Sequence, residues 1–320
     1  MKKIIAILMA CLFVLSFTTA FAEREKTLSI VCTTFPQYDW VRRILGDHVN
    51  GVDLTLLLGS GVDLHSYQPT ADDIIKIAQS DLFIYVGGES DGWVDDALAA
   101  AQNPSLKAIS MLESVDAKEE EMVEGMQEEE HDHEEGHDHD EIEYDEHVWL
   151  SLRNAETLTQ IIADALCELD SANAPVYREN AANYIAKLNE LDNQYNDVIA
   201  NGARTTILFA DRFPFRYLAD DYGLAYYAAF VGCSAETEAS FETIAFLAKK
   251  VDELKLPVVL TIEGANHAIA ETVVSSTQAK NQKILTMNSI QSVTESDIAD
   301  GASYLGIMTE NLVVLKEALN

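Results

Sequence analysis

At 320 residues and 48% apolar, the chain is long enough for one large or two ordinary globular domains and too apolar to be disordered. Its formal net charge of −33, from 21 Lys and Arg against 54 Asp and Glu, excludes a nucleic-acid partner, which would need clustered cations, and favours cations near the surface. Residues 119 to 146 hold 16 of the 54 acids and no Lys or Arg, so one local segment carries a large part of the imbalance.

In chain order, Lys2 and Lys3 lead an apolar run from Ile4 to about Leu15, and Ala20 and Ala22 put small residues before Glu23. This reads as an export signal over 1–22. A rival reading takes "LMAC" as a lipobox with Cys11 as the lipidated residue, although the apolar stretch before it is short. No later segment approaches the 18 or so continuous apolar residues of a membrane span. The remaining cysteines, Cys32, Cys167 and Cys233, are odd in number and lack CxxC spacing, so they suggest neither a disulfide framework nor a zinc-thiolate site.

Beyond the signal, β-type runs at 27–35, 52–58, 82–88 and 106–112 alternate with helical spacing at 71–80 and 92–101. The same grammar restarts at 204–210 and continues through 225–231, 257–262 and 282–287, with an amphipathic stretch at 240–255. Alternation of this kind implies parallel βα units, hence an α/β fold of two lobes: an N-terminal lobe over 23–151, with 119–146 as an acidic His-rich loop, and a C-terminal lobe over 201–320. Between them, residues 152–200 contain no Gly, and 176–200 reads as one helix, whose 25 or so residues span roughly 37 Å, enough to brace both lobes.

In open α/β sheets ligands bind beyond the carboxyl ends of the strands. Those positions are rich in metal-ligating types. His65 lies in the loop "GSGVDLHSYQPT", His147 ends the acidic segment, Asp211 follows the run 204–210, Glu263 follows 257–262 with His267 four residues on, and Asn288 follows 282–287. Taken singly, an Asp after a strand is most often a helix cap and a loop His most often solvated. Their joint placement on two facing lobes points to a metal cleft.

The same residues carry a family likeness. "GVDLHSYQPTADDI" resembles G-x-x-P-H-x-Y-x-P-[ST]-x-x-D, and "DEHVWLSLRNA" resembles D-P-H-x-W-L-D-P-x-N-A, two motifs of the zinc/manganese solute-binding proteins that feed ABC importers. "TTFPQYDW", "YLADDYGL", "SAETEASFETI" and "YLGIMTENLVVLKEAL" extend the resemblance along nearly the whole chain. It implies two α/β lobes joined by a long rigid helix with the metal between them, and a monomer that passes its ion to an ABC permease and its ATPase in the periplasm or at the outer face of the membrane. It also implies that His65 and His147 are the first and second ligands. The third family ligand falls on Arg212, which cannot bind a cation, and the fourth on Asn288, whose amide oxygen is a weaker ligand. Asp211, Glu263 and then His267 are the replacements in that order.

Zinc-preferring members often carry a His- and acid-rich loop just before the second ligand, as here. The pairs His131 with His133 and His137 with His139 suit transient zinc binding, but a segment without apolar anchors cannot hold a fixed geometry, so it reads as an accessory metal-collecting tether. Zn(2+) is therefore the expected cargo, with Mn(2+) as the alternative. A secreted zinc hydrolase is the reading from another class, yet the chain's one H-E-x-x-H, at His133 to His137, falls within the acidic segment that reads as a tether. A secreted metal buffer or adhesin without a transporter is the third.

Overall fold

The structure, a computed structural model, describes residues 27–127, 143–234, 238–264 and 266–320. The signal expected over 1–22, Cys11, and the tether histidines His131, His133, His137 and His139 lie outside the described residues. Each lobe is built on a four-stranded, all-parallel sheet. In the N-terminal lobe β1 (Ser29–Cys32), β2 (Asp53–Leu56), β3 (Leu82–Tyr85) and β4 (Lys107–Ser110) stand in the order β2-β1-β3-β4. In the C-terminal lobe β5 (Thr206–Phe213), β6 (Ala225–Val231), β7 (Val258–Ile262) and β8 (Lys283–Met287) repeat that order as β6-β5-β7-β8. The chain therefore reverses direction across the sheet next to β1 and again next to β5, which opens a crevice at the carboxyl ends of each pair.

Strand alternation explains how both faces are covered. Ile30, Cys32, Leu82 and Ile84 enter the main core, while Val31 and Phe83, one residue out of phase, pack in a smaller cluster with Ile77, Val94 and Ala97. These last come from α2 (Ala71–Gln79) and α3 (Val94–Ala99). In the other lobe Ile207, Phe209, Leu260 and Ile262 face the main core, and Leu208, Ala210 and Val259 face α7 (Phe241–Leu254) and α8 (Ala268–Ser276) through Leu247, Val251 and Val273. Thr70 caps α2 in a capping box with Asp73, and Ser240 caps α7 by accepting from the Thr243 amide, so the sequence marks the helix starts.

The main core is shared by both lobes. It is organised by α4 (Leu152–Leu169) and by α5 (Ala174–Ala200), a single helix of 27 residues and so about 40 Å long. The first half of α5 packs on α1 (Phe35–Leu45), where Asn180 Nδ2 donates to the Ile44 carbonyl at 3.0 Å. Its second half meets the C-terminal lobe. Tyr195 stacks on Tyr222 of α6 (Arg216–Tyr222) and donates its hydroxyl to the Met308 carbonyl of α10 (Tyr304–Ala318) at 2.6 Å. Trp40 of α1 meets Tyr304 edge-on, and Tyr304 N donates to Asp39 Oδ2 at 3.0 Å, so α1 and α10 also join the lobes directly.

Two details differ from the sequence reading. The run 204–210 extends to Phe213, with a register shift between Phe209 and Arg212, so Asp211 sits within the irregular end of β5 rather than after it. A bulge of this kind re-aims side chains without ending the strand. The acidic segment is not unanchored at its ends. Glu119 bridges to Tyr144, Gln127 N donates to the Ala229 carbonyl at 2.9 Å, and Met126 is buried in the main core. Among the described residues no helix is long and apolar enough to cross a membrane.

Candidate metal centre

Three separate pieces of chain meet between the lobes. His65 sits in a short turn, Leu64–Ser66, on the loop from β2 to α2, and Asp63 Oδ1 accepts its backbone N–H at 3.0 Å. That loop is fastened to the opposite lobe: Ser60 bridges to Thr294, and Glu295 N, in α9 (Glu295–Ala299), donates to the Gly59 carbonyl at 2.9 Å. His147 opens the turn Val148–Leu150, whose three apolar side chains are fully buried and hold it down. Trp149 Nε1 donates to the Ser289 carbonyl at 2.8 Å, tying His147 to the loop after β8.

The two imidazoles face each other with His65 Nε2 and His147 Nε2 3.3 Å apart. Behind each ring stands a partner for its other nitrogen. His147 Nδ1 is 2.9 Å from Asp145 Oδ1, which also accepts the His147 backbone N–H at 2.8 Å. His65 Nδ1 is 2.8 Å from Ser90 Oγ and 3.6 Å from Glu146 Oε2. Such partners fix a ring's orientation and tautomer and leave the Nε2 lone pair pointing forward. Two nitrogens at about 2.0 to 2.1 Å from a tetrahedral zinc stand about 3.3 to 3.4 Å apart, so the spacing already suits one ion.

Electrostatics separates the two rings. Burial, joined by the neighbouring His147, pulls His65 down to about 3, so it is neutral at physiological pH. Burial opposes the charge on His147 as well, but the Asp145 carboxylate outweighs it and moves that ring upward. Burial pushes Glu146 up to about 7 despite the N–H it accepts from Ser90. His65 lines a cleft of about 520 Å³ that also exposes Asp63, Asp211, Arg212, Glu263 and His267, whereas His147 lies behind it with no exposed surface.

Not every group singled out from sequence reaches the pair. Asp211 faces the cleft, but its oxygens accept from the backbone amides of Arg212 at 2.9 Å and Ile262 at 3.2 Å. Glu263 is tied to Ser289 N at 2.6 Å and Ser289 Oγ at 2.7 Å, and so braces the loop after β8. Asn288 Oδ1 accepts from Ile290 N at 2.7 Å, which turns it into a local turn-former rather than a ligand. Arg212 reaches across the cleft to Asp63 Oδ2 at 2.6 Å and donates to the Ser234 carbonyl at 3.1 Å. Against the upward push of burial, this guanidinium holds the Asp63 carboxyl below its usual range.

Two residues the sequence reading passed over do reach the imidazoles. Cys233 is the third member of the cluster: its Sγ and one ring nitrogen of each imidazole lie within 4.8 Å of one another. Gln291 Nε2 is 3.0 Å from His147 Nε2, while its Oε1 is buried without a partner. Cys233 lies two residues beyond β6, where the strand-end rule applied to the other strands would have found it. Gln291 is brought in by Ile290, a β-branched residue at φ 65°, a backbone strain no pattern of residue types announces.

A sequence pattern for the family described as "ZnuA: Zinc-uptake complex component A periplasmic" matches residues 30–318. The chain belongs to that family. It is 31% identical over 319 residues to the zinc-binding lipoprotein AdcA of Streptococcus pneumoniae, covering 99% of this chain and 61% of that protein, so it spans less than two thirds of AdcA's length. It is 31% identical over 297 residues to the high-affinity zinc uptake system protein ZnuA of Bacillus subtilis, with 93% of this chain and 89% of the relative covered. The solved Zn(II)-bound ZnuA-like domain of Streptococcus pneumoniae AdcA superposes with a TM-score of 0.72 at 29% identity, over 92% of this chain and 99% of that domain.

Proposed function

We infer that this chain captures Zn(2+) outside the cytoplasm and hands it to the permease and ATPase of an ABC importer. The observation that carries the reading is the pair of Nε2 atoms 3.3 Å apart between two lobes, each ring backed by a carboxylate or hydroxyl at its other nitrogen. His65, on the cleft wall, is the first group an incoming ion meets, and His147, behind it, is the second. His65 is neutral and ready to donate its lone pair, while the proton favoured on His147 by Asp145 gives way to the ion.

A transport reading also suits what the site lacks in reactivity. Glu263, the acid a hydrolase would use as base, has both oxygens occupied by Ser289. The names of AdcA and ZnuA relatives, both zinc-binding or zinc-uptake proteins, support zinc over manganese as cargo. The test is a zinc titration of the exported chain against a chromophoric chelator, with manganese as competitor. Wild type is expected to take one zinc tightly, and a His65→Ala, His147→Ala double variant to lose it. Equal tight binding by the double variant, or a preference for manganese, would refute the assignment.

A further inference from the structure

Zinc held by two imidazoles is two ligands short of the four it takes in a closed site. Building on the zinc reading above, we propose that Cys233 supplies the third ligand as a thiolate and Gln291 Oε1 the fourth, making a His2Cys site closed by an amide oxygen.

The geometry is close to what such a site needs. With Zn–S at about 2.3 Å and Zn–N at about 2.0 to 2.1 Å, sulfur and nitrogen stand about 3.6 Å apart around a tetrahedral ion. Cys233 Sγ and one ring nitrogen of each imidazole already lie within 4.8 Å of one another, so drawing in by about an ångström completes the cluster. Gly232 is what lets the chain pass this near: a Cβ there would stand 2.9 Å from the Phe213 carbonyl, 3.1 Å from Asp145 Oδ2 and 3.3 Å from His147 Nδ1. Glu120 Oε1 accepts the Cys233 backbone N–H at 2.9 Å and fixes the residue that follows.

The fourth position rests on a separate observation. Gln291 is 3% exposed, and its Oε1 is buried with no donor, an arrangement that is costly unless something satisfies it. Amide oxygen and nitrogen are distinguished only by their partners, and a half-turn of the amide puts the oxygen where Nε2 now sits, 3.0 Å from His147 Nε2. A cation between the rings is the partner that oxygen lacks. Two cleft carboxylates are already engaged, Asp211 with two backbone amides and Glu263 with Ser289.

On ligation the Cys233 S–H bond breaks, its electron pair goes to zinc, and the proton leaves to solvent. No electron transfer is involved. A thiolate in the set also selects cargo, because sulfur favours zinc over manganese, which takes oxygen ligands. Zinc specificity here is therefore a property of Cys233.

The test uses the full chain kept reduced, first loaded with Co(2+) as a spectroscopic stand-in and then titrated with zinc against a chelator. Wild type is expected to show a sulfur-to-cobalt charge-transfer band in the near ultraviolet, and Cys233→Ser to lose the band and at least about tenfold in zinc affinity. Cys167→Ser, in α4, should change neither. A wild-type cobalt spectrum without the band overturns the thiolate ligand even if the serine variant fails to fold. So does a folded Cys233→Ser with wild-type affinity. If in either case the His65→Ala, His147→Ala variant still loses zinc, the transport reading stands and only the Cys233 assignment falls. Wild type binding no zinc would sink both.

Discussion

Asp145→Asn isolates the charge behind His147 with little change of shape. Asp145 Oδ1 takes both the His147 backbone N–H at 2.8 Å and the ring Nδ1 at 2.9 Å, and its main chain is held at both ends, by the Lys118 carbonyl at 2.9 Å and the Tyr217 hydroxyl at 2.8 Å. Asparagine can keep one acceptor in place but not the carboxylate. A hydrogen bond to a charged group is worth about 1.5 to 3 kcal/mol and a neutral one about 0.5 to 1.5, so the variant forfeits about 1 to 2 kcal/mol of support for the zinc-bound ring. At tenfold per 1.4 kcal/mol this is about a five- to thirtyfold loss of zinc affinity, in the range found when such supporting carboxylates are removed. Chelator competition measures it directly, and thermal unfolding of the metal-free variant checks that the fold survives. Binding within about twofold of wild type would mean that Asp145 merely caps the turn and does not orient the ring.

Gly232→Ala forces a methyl against the Phe213 carbonyl, 2.9 Å away, and toward Asp145 and His147, so it is expected to cost about 1 to 3 kcal/mol of stability and to weaken zinc binding; a variant matching wild type in both thermal unfolding and affinity would contradict the packing described. Deleting 128–142 should leave fold and tight site intact while removing weaker zinc sites that fade below about pH 6.5, as calorimetry would show. Extending the deletion back through Glu119 should destabilise the chain, because Met126 is buried and Glu120 holds Cys233. Asp91 gives a pH test: burial pushes it up to about 6, against the pull of the Gly87 and Val86 amides. The folded state thus holds this proton more tightly than the unfolded one, so stability falls as pH rises from about 4 to about 6, by up to about 3 kcal/mol. Relative to wild type, Asp91→Asn should therefore gain stability as pH rises from about 4 to about 6 and keep that gain above it, in denaturant unfolding of the metal-free protein, and parallel pH curves would refute this.

The alternation of apolar runs was enough to place all eight strands and the long helix, because both lobes obey local rules of period and capping. His65 and His147 come forward by their loop positions and by the two family motifs they match, His147 beside the anchoring residue Trp149. The rest of the centre was hidden for physical reasons. Asp211 looked free because its two amide donors, Arg212 N and Ile262 N, become neighbours only when β5 bulges against β7. Gln291 depends on the strained turn at Ile290, and a count of cysteines carries no information about how near Cys233 comes to the imidazoles.

The continuous helix α5, clasped by α1 near one end and by α6 and α10 near the other, bears on how cargo leaves. Swinging the halves apart would strip Tyr195, Tyr304 and Trp149, all fully enclosed, from a core common to both, at about 25 cal/mol for every square ångström wetted. A jaw-like opening is thus ruled out as a cheap motion. Under the proposed transport role, loading and unloading would be local events on the cleft side, in the short turn that carries His65, since His147 is anchored by Asp145 and the buried turn that follows it. For the transport role proposed above, a membrane receptor would then have no change of overall outline to sense. It would recognise a filled carrier by the stiffening of a few loops, and empty it by prising at them.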